Sequence, residues 1–304
     1  MSKYSNNSLV PLSIVIPTFN DSHYLAKSLN SIVLQSYLPF EVIVIDDGSA
    51  DNTALEVTNN KKFETLNIHF QKIDNSGPSA ARNKGLQIAQ SPFILFLDAD
   101  DLLPTNILEV YSNYLDHLPE QYFGLCGRMK NFGKIRNTTS SYVAEKNIDP
   151  SGIGRPGQLQ GQISCYVIRS NYLHAVSGFD ESLSHYEDFD ILLKLLTQGK
   201  LKTIQEIVLH KRFHSKSLSN IDPKKSYLGT KKFIEIATER SLFPSEEILL
   251  REKDNLMSYG KNLFIQLNIS DAVSKFHEGF QILPPNNFKE LCVYFVCKIY
   301  NYIK

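Results

Sequence analysis

Residues 91–101 read SPFILFLDADD. Phe93 to Leu97 form an unbroken apolar run, which fits a short strand buried on both faces. The run ends in three aspartates within four positions: Asp98, Asp100 and Asp101. One aspartate there would be ordinary, because turns and helix N-termini favour it. Three repel one another and raise each other's pKa unless something positive sits among them. Hard carboxylate oxygens suit a divalent ion such as Mg²⁺ or Mn²⁺. The stretch therefore predicts a buried strand whose end is a metal site.

Working outward toward the N-terminus, the same strand signal recurs. LSIVIPTF (12–19) is a β-branched apolar run that stops at a proline. SHYLAKSLNSIVLQS follows from Ser22 with helical spacing of Leu25, Leu29, Ile32 and Val33, and Asp21 or Ser22 is placed to cap it. FEVIVIDDGSADNT (40–53) is a second buried strand running into a polar turn, with a helix expected from Thr53. LNIHFQKI (66–73) reads as a third strand, and GPSAARNKGLQIAQ (77–90) as a helix with an abrupt glycine–proline start. Four strands thus alternate with three helices before Asp101. That alternation implies a mostly parallel sheet flanked by helices, an α/β fold that binds its ligand beyond the carboxyl ends of the strands. Three of those ends carry polar groups: Thr18 and Asn20, Asp46 and Asp47, and Asp98 to Asp101.

Beyond Asp101, LLPTNILEVYSNYLDHL is expected to be helical, and YFGLCGRMKNF and QISCYVIRSNYLHAV strand-rich. The Gly/Ser/Asn-rich stretch 131–162 between them reads as a mobile loop or lid. SGFDESLSHYEDFDILLKLLTQG carries a second acidic cluster and then a helix closed by Gly199, and LKTIQEIVLHKRFHSKSLSN a strand followed by a basic segment. From about Asp222 polar and apolar residues recur at helical spacing, with breaks at Pro244, Asn268 and Pro284–Pro285. The expected division is one domain over 1–221, with a nucleotide-binding half of about 10–101 and an acceptor half of about 102–221, and a helical C-terminal extension over 222–304.

The bulk numbers exclude several classes. Lys+Arg and Asp+Glu each total 32 in a chain of 304 residues, so there is no net charge to drive wholesale nucleic-acid binding. The four cysteines, Cys126, Cys165, Cys292 and Cys297, form no zinc-type spacing and suit a reducing compartment. The polar first residues, MSKYSNNSLVPL, lack the apolar core of a signal peptide, and no run reaches the roughly 18 apolar residues of a membrane span. The expected location is the cytoplasm, with membrane contact at most peripheral, at the inner face of the plasma membrane.

SIVIPTFN, VIVIDDGSADNT, GPSAARNKGL, FLDADD, GFDESL and YEDFDILLKL occur in the order, and near the spacing, of glycosyltransferase family 2. The resemblance covers about residues 10–220 and implies an inverting enzyme of the GT-A type. It implies a nucleotide-sugar donor, UDP-linked, and a carbohydrate or lipid-linked glycan as acceptor, in the synthesis of surface polysaccharide or glycoconjugate. Pro17, Thr18 and Asn20 would line the base and ribose, and Asp47 would accept a hydrogen bond from the base. LDADD resembles the family's Asp-x-Asp motif. Asp98 would face the ribose or the metal's water shell, and Asp100 would ligate the Mn²⁺ or Mg²⁺ that neutralises the leaving diphosphate. Asp101 would cap the next helix. Arg82 would contact phosphate or pair with an aspartate of the strand ends, while Asn83 and Gly85 would pack. Inversion needs one base opposite the leaving group, and Asp188 matches it. Glu187 would bond the acceptor, Asp180 would lie near donor sugar or acceptor, and His214, with Arg212 and Lys216 nearby, would meet phosphate or metal.

The pattern also has departures. The processive synthases of the family carry a Gln-x-x-Arg-Trp motif and membrane spans, whereas this chain has no tryptophan, which favours transfer of a single sugar. A nucleotidylyltransferase would need a glycine-rich basic loop after the first strand, and PTFNDSHYL has neither glycine nor base. The remaining alternative is an inactive, glycosyltransferase-like scaffold subunit. In the closing FKELCVYFVCKIYNYIK, Leu291, Tyr294, Phe295, Lys298 and Ile299 would share part of a helical face, docked on the protein, on a second subunit, or on a membrane.

Overall fold

The structure, a computed structural model, describes residues 9–133, 138–148, 158–213 and 222–303. His214 and Lys216 lie outside the described residues. The chain folds as two compact units, Met1–Ser182 with Glu187–Ser215, and Leu183–Tyr186 with Lys216–Lys304.

The first unit is built on a seven-stranded sheet of order β3-β2-β1-β4-β6-β5-β7. The strands are β1 (Leu9–Thr18), β2 (Leu38–Asp46), β3 (Ile68–Lys72), β4 (Phe93–Phe96), β5 (Tyr122–Gly133), β6 (Tyr166–Arg169) and β7 (Lys200–Phe213). β1 to β4 are mutually parallel, as the alternation predicts; β6 runs antiparallel to both β4 and β5, and β5 is parallel to β7. The β-branched and aromatic runs form the core: Ile14, Val15, Ile16, Val42 to Ile45 and Ile94 to Leu97 are fully enclosed. Registers Thr18↔Asp46 and Val15↔Phe96 bring the polar ends of β1, β2 and β4 to one edge. β4 returns to the other side of β1 from β2, so the crevice of the sheet opens where the strand order reverses.

The flanking helices are α1 (Ser22–Val33), α2 (Thr53–Thr58), α3 (Pro78–Ile88), α4 (Ile107–Leu115), α5 (Ser170–Ala175) and α6 (Glu187–Gln198). α3 starts where Pro78 supplies a fixed φ at its first turn, behind Gly77 at φ 92°, a left-handed position glycine takes without strain. It lies flush on the sheet because Gly85 has no side chain: a Cβ there would sit 2.2 Å from Val15 Cγ1. That close approach is what lets Arg82, one turn earlier, reach over the end of β4.

Several local expectations are corrected. The expected loop 131–162 is in part ordered: Lys130 bridges Thr139, a 3₁₀ turn spans Glu145–Asn147, and Gln162 is buried. SNYLHA is helical, not strand. The cap of α1 is also different, since Asp21 makes no side-chain cap bond and Ser22 N donates instead to Asp51 Oδ2. Asp101 does not cap the next helix, because α4 begins six residues later, behind Asn106.

The second unit holds α7 (Pro223–Glu239), α8 (Ser245–Ile265), α9 (Ile269–Ile282) and α10 (Phe288–Ile303). Leu263, Ala272, Val273, Phe276 and Cys297 form a core cluster that links α8, α9 and α10. Lys253 of α8 is buried, and its Nζ bonds Pro284 O at 2.8 Å and Glu290 Oε2 at 2.6 Å. Tyr186 stacks on Phe233 with ring centroids 5.0 Å apart.

Candidate active site

Arg82 is the hub of the polar edge. Its side chain is 5% exposed and faces three carboxylates: Nη2 lies 2.9 Å from Asp98 Oδ1, and Nη1 lies 3.4 Å from Glu187 Oε1 and 3.5 Å from Asp188 Oδ1. Its guanidinium also sits 5.4 Å from the Phe179 ring centre. Burial opposes its charge, but Asp188, Asp98 and Glu187 outweigh that and hold it firmly protonated. Of the alternatives open to Arg82, the structure thus displays the ion pair. The arginine ties the acidic end of β4 to the start of α6, whose Glu187 lies 105 residues beyond Arg82 itself.

Asp98 is braced from two sides. Gln162 Nε2 donates to its Oδ2 at 2.6 Å while Arg82 holds Oδ1. Burial pushes its pKa up, but Arg82 and then Lys211 outweigh burial and keep it below the ordinary range. Lys211 Nζ donates to Gln162 Oε1, so one amide links the β7 lysine to the β4 aspartate. Gln162 and Lys211 carry no signal in the sequence: Gln162 lies in a stretch read as loop, and Lys211 is one cation in a basic run.

Asp98, Asp100 and Asp101 each offer a carboxylate oxygen within 4.8 Å of the others. Asp101 is buried; its Oδ1 accepts Arg212 N at 2.8 Å and its Oδ2 has no hydrogen-bond partner. Burial, then the charges of Asp100 and Asp98, raise its pKa well above the ordinary range. An orphaned buried oxygen beside two more carboxylates is a hard-oxygen donor set that would suit Mg²⁺ or Mn²⁺. Arg212 donates Nε–H to Asp100 O at 2.8 Å and lies over the rings of Tyr24 and Phe132.

Asp188 opens α6. Its Oδ2 accepts Ile163 N at 3.0 Å, and its Oδ1, although near Arg82, accepts no hydrogen bond. Burial raises its pKa, Arg82 lowers it, and Glu187 and Asp98 raise it again, leaving it at about 7. A carboxylate so poised is half ionised near neutrality, the condition for a general base. Asp190, two residues on, is buried against Lys194 Nζ at 3.0 Å.

The remaining candidates make local bonds. Asp47 accepts Ser76 N at 2.7 Å and Gly77 N at 2.9 Å, one on each oxygen, which fixes the turn into α3. Asn20, at φ 54°, donates its N–H to Ser49 Oγ, and its Oδ1 accepts Ala50 N. Thr18 is buried at the end of β1 with Oγ1 unpartnered, and Pro17 precedes it in register with Ile45. Asp180 Oδ1 accepts Ser182 N at 2.9 Å. Asn83 clasps Phe179 through both backbone groups. The structure therefore brings Arg82, Asp98, Glu187 and Asp188 into one cluster with Asp100 and Asp101 beside it, while Asp47 and Asn20 organise the neighbouring turns.

Comparison with known proteins identifies the family. Residues 13–168 match the family model described as Glycosyl transferase family 2. The chain is 27% identical over 232 residues to a chondroitin synthase of Pasteurella multocida (strain Pm70), covering 71% of this chain and 22% of that one. It is 30% identical over 287 residues to the minor teichoic acid biosynthesis protein GgaA of Bacillus subtilis (strain 168), covering 86% of this chain and 61% of that one. The chain thus spans about a fifth of the first relative and three-fifths of the second. Among solved structures, S. aureus TarS 1–349 in complex with UDP-GlcNAc superposes with a TM-score of 0.66 at 19% identity, covering 90% of this chain and 81% of that one.

Proposed function

The chain belongs to glycosyltransferase family 2, and from that membership we propose that it moves one sugar from a UDP-linked donor to a glycan hydroxyl, with inversion at the anomeric carbon. The observation that carries the reading is the Arg82 cluster, which joins a metal-type carboxylate set to a carboxylate poised near neutrality. The bound UDP-GlcNAc of the TarS structure supports the choice of nucleotide, and the names of GgaA and the chondroitin synthase support a surface-polymer acceptor.

Each residue has a separate task. Asp188 takes the proton from the acceptor hydroxyl as it attacks; Ile163 N–H holds Oδ2, so Oδ1 is the oxygen left to receive it. Glu187 and Arg82 set the charge around that base. Asp100, with Asp98 and Asp101, would hold a divalent ion that neutralises charge on the departing diphosphate as a Lewis acid. Lys211, aligned through Gln162, adds a fixed positive charge on the same side. Thr18 Oγ1 is a free buried group for the nucleotide. Asp47 reaches the base through the turn it organises, and Asp180 and Glu187 flank the sugar and acceptor.

Calorimetric titration with UDP, GDP, CDP and dTDP, with and without Mn²⁺, tests the reading beside an Asp100→Ala variant. UDP is expected to bind, to need the metal, and to lose affinity in the variant. A folded protein that binds none of the four under either condition would make it a scaffold subunit instead.

A further inference from the structure

α10 carries an exposed apolar stripe. Phe288 is 78% exposed, Leu291 41%, Phe295 56%, and Val296 and Ile299 58% each; Cys292 is exposed among them. At 3.6 residues per turn these six side chains span an arc of about 140°. The opposite side of the helix is occupied: Cys297 is buried in the core, Val293 and Tyr300 pack on it, and Tyr294 meets the Phe280 ring edge-on at 5.4 Å. Tyr294 therefore does not belong to the outer face, which is centred on Phe288, Cys292, Phe295 and Ile299. So contiguous a patch of large apolar groups on a water-facing helix marks a binding surface.

Charge selects the occupant. Lys289 and Lys298 fall about 100° and 80° to either side of Phe288, so one lysine borders each flank of the stripe. The one carboxylate of α10, Glu290, points inward to Lys253 Nζ at 2.6 Å. Both borders of the apolar face are thus cationic. A second copy laid on this face would add two more lysines at its borders and no α10 carboxylate to meet them. A lipid surface with anionic headgroups meets both requirements: apolar side chains enter the acyl boundary while the lysine stems reach up to the phosphates. No helix among the described residues is long and apolar enough to cross a membrane, so the contact would be in the plane of the interface.

We infer that α10 is an interfacial membrane-docking helix that seats the enzyme on an anionic bilayer. The inference does not depend on the donor or on the chemistry of Asp188, and its readout is binding alone.

The test is co-sedimentation of the full chain with vesicles of phosphatidylcholine alone or mixed equally with phosphatidylglycerol. The wild type is expected to pellet with the anionic vesicles, less so at high salt, and hardly at all with the neutral ones. Phe295→Glu should weaken binding more than about tenfold. Lys289→Gln with Lys298→Gln should weaken it about thirtyfold, at solvent-exposed positions that leave the fold intact. Light scattering on the same proteins without vesicles reports the oligomeric state. Failure of the wild type to pellet overturns the inference, as does unchanged binding of the double lysine variant. A wild-type dimer that Phe295→Glu splits assigns the stripe to a second copy and overturns it as well.

Discussion

Arg82→Met isolates the electrostatic link between the two halves of the site. The guanidinium Nη1 stands 3.5 Å from Asp188 Oδ1 in a buried cluster. At an effective dielectric of about 20 that contact is worth roughly 5 kcal/mol of attraction. Rearrangement and entering water reduce this, so removing an adjacent cation raises a carboxylate pKa by about 1 to 3 units. Asp188 sits at about 7 with Arg82 in place. Without it the acid form gains, and the pKa moves up from there. The base must be ionised to accept a proton, so the acidic limb of kcat/KM against pH shifts to alkaline values by the same amount. Transfer at neutral pH then falls about five- to five-hundred-fold and recovers at high pH. Because the variant strands three carboxylates, a stability loss of about 3–5 kcal/mol is expected, and melting curves set the usable temperature. Arg82→Lys keeps the charge and should keep the limb near the wild-type position. A limb that stays near 7 in Arg82→Met, with activity lowered equally at every pH, refutes the reasoning and leaves Arg82 with a donor-binding role only.

Three further outcomes follow from other contacts. Asp188→Asn should lower kcat about 10²- to 10⁴-fold while the calorimetric affinity for UDP with Mn²⁺ stays unchanged; a parallel loss of nucleotide binding would remove Asp188 from the base role. Gly85→Ala places a methyl group 2.2 Å from Val15 Cγ1, so thermal denaturation should show a loss of about 1–3 kcal/mol, and Val15→Ala should restore much of it. Lys253→Met leaves Glu290 and the Pro284 carbonyl without their cation, so the C-terminal helices should lose about 3–5 kcal/mol by denaturant unfolding; adding Glu290→Leu should recover a large part, because the stranded charge goes too.

The sheet was legible because its signal is local. Each buried strand is an apolar run whose residues need only their neighbours in sequence to declare a strand covered on both faces, and helices of recognisable period lie between them. The metal-type aspartates were legible for the same reason, being crowded into four positions whose mutual repulsion demands explanation. The antiparallel β6 was not, since a four-residue strand carries no sign of its direction. The joint use of Arg82 by Asp98, Glu187 and Asp188 was hidden too, because it depends on a helix lying close enough to the sheet, at Gly85, to span over a hundred residues of chain.

Residue type alone therefore determined the fold class, the polar edge of the sheet, and which carboxylates stand there. Tertiary structure decided what surrounds each of them. Asp47 offers the same carboxylate as Asp188, yet one has both oxygens on backbone amides and the other has an oxygen without a hydrogen bond, 3.5 Å from Arg82 and buried among other carboxylates. Protonation and reactivity follow from burial, from the sign of the nearest charge, and from which hydrogen bonds are already made. Those quantities exist only once distant segments have been brought together.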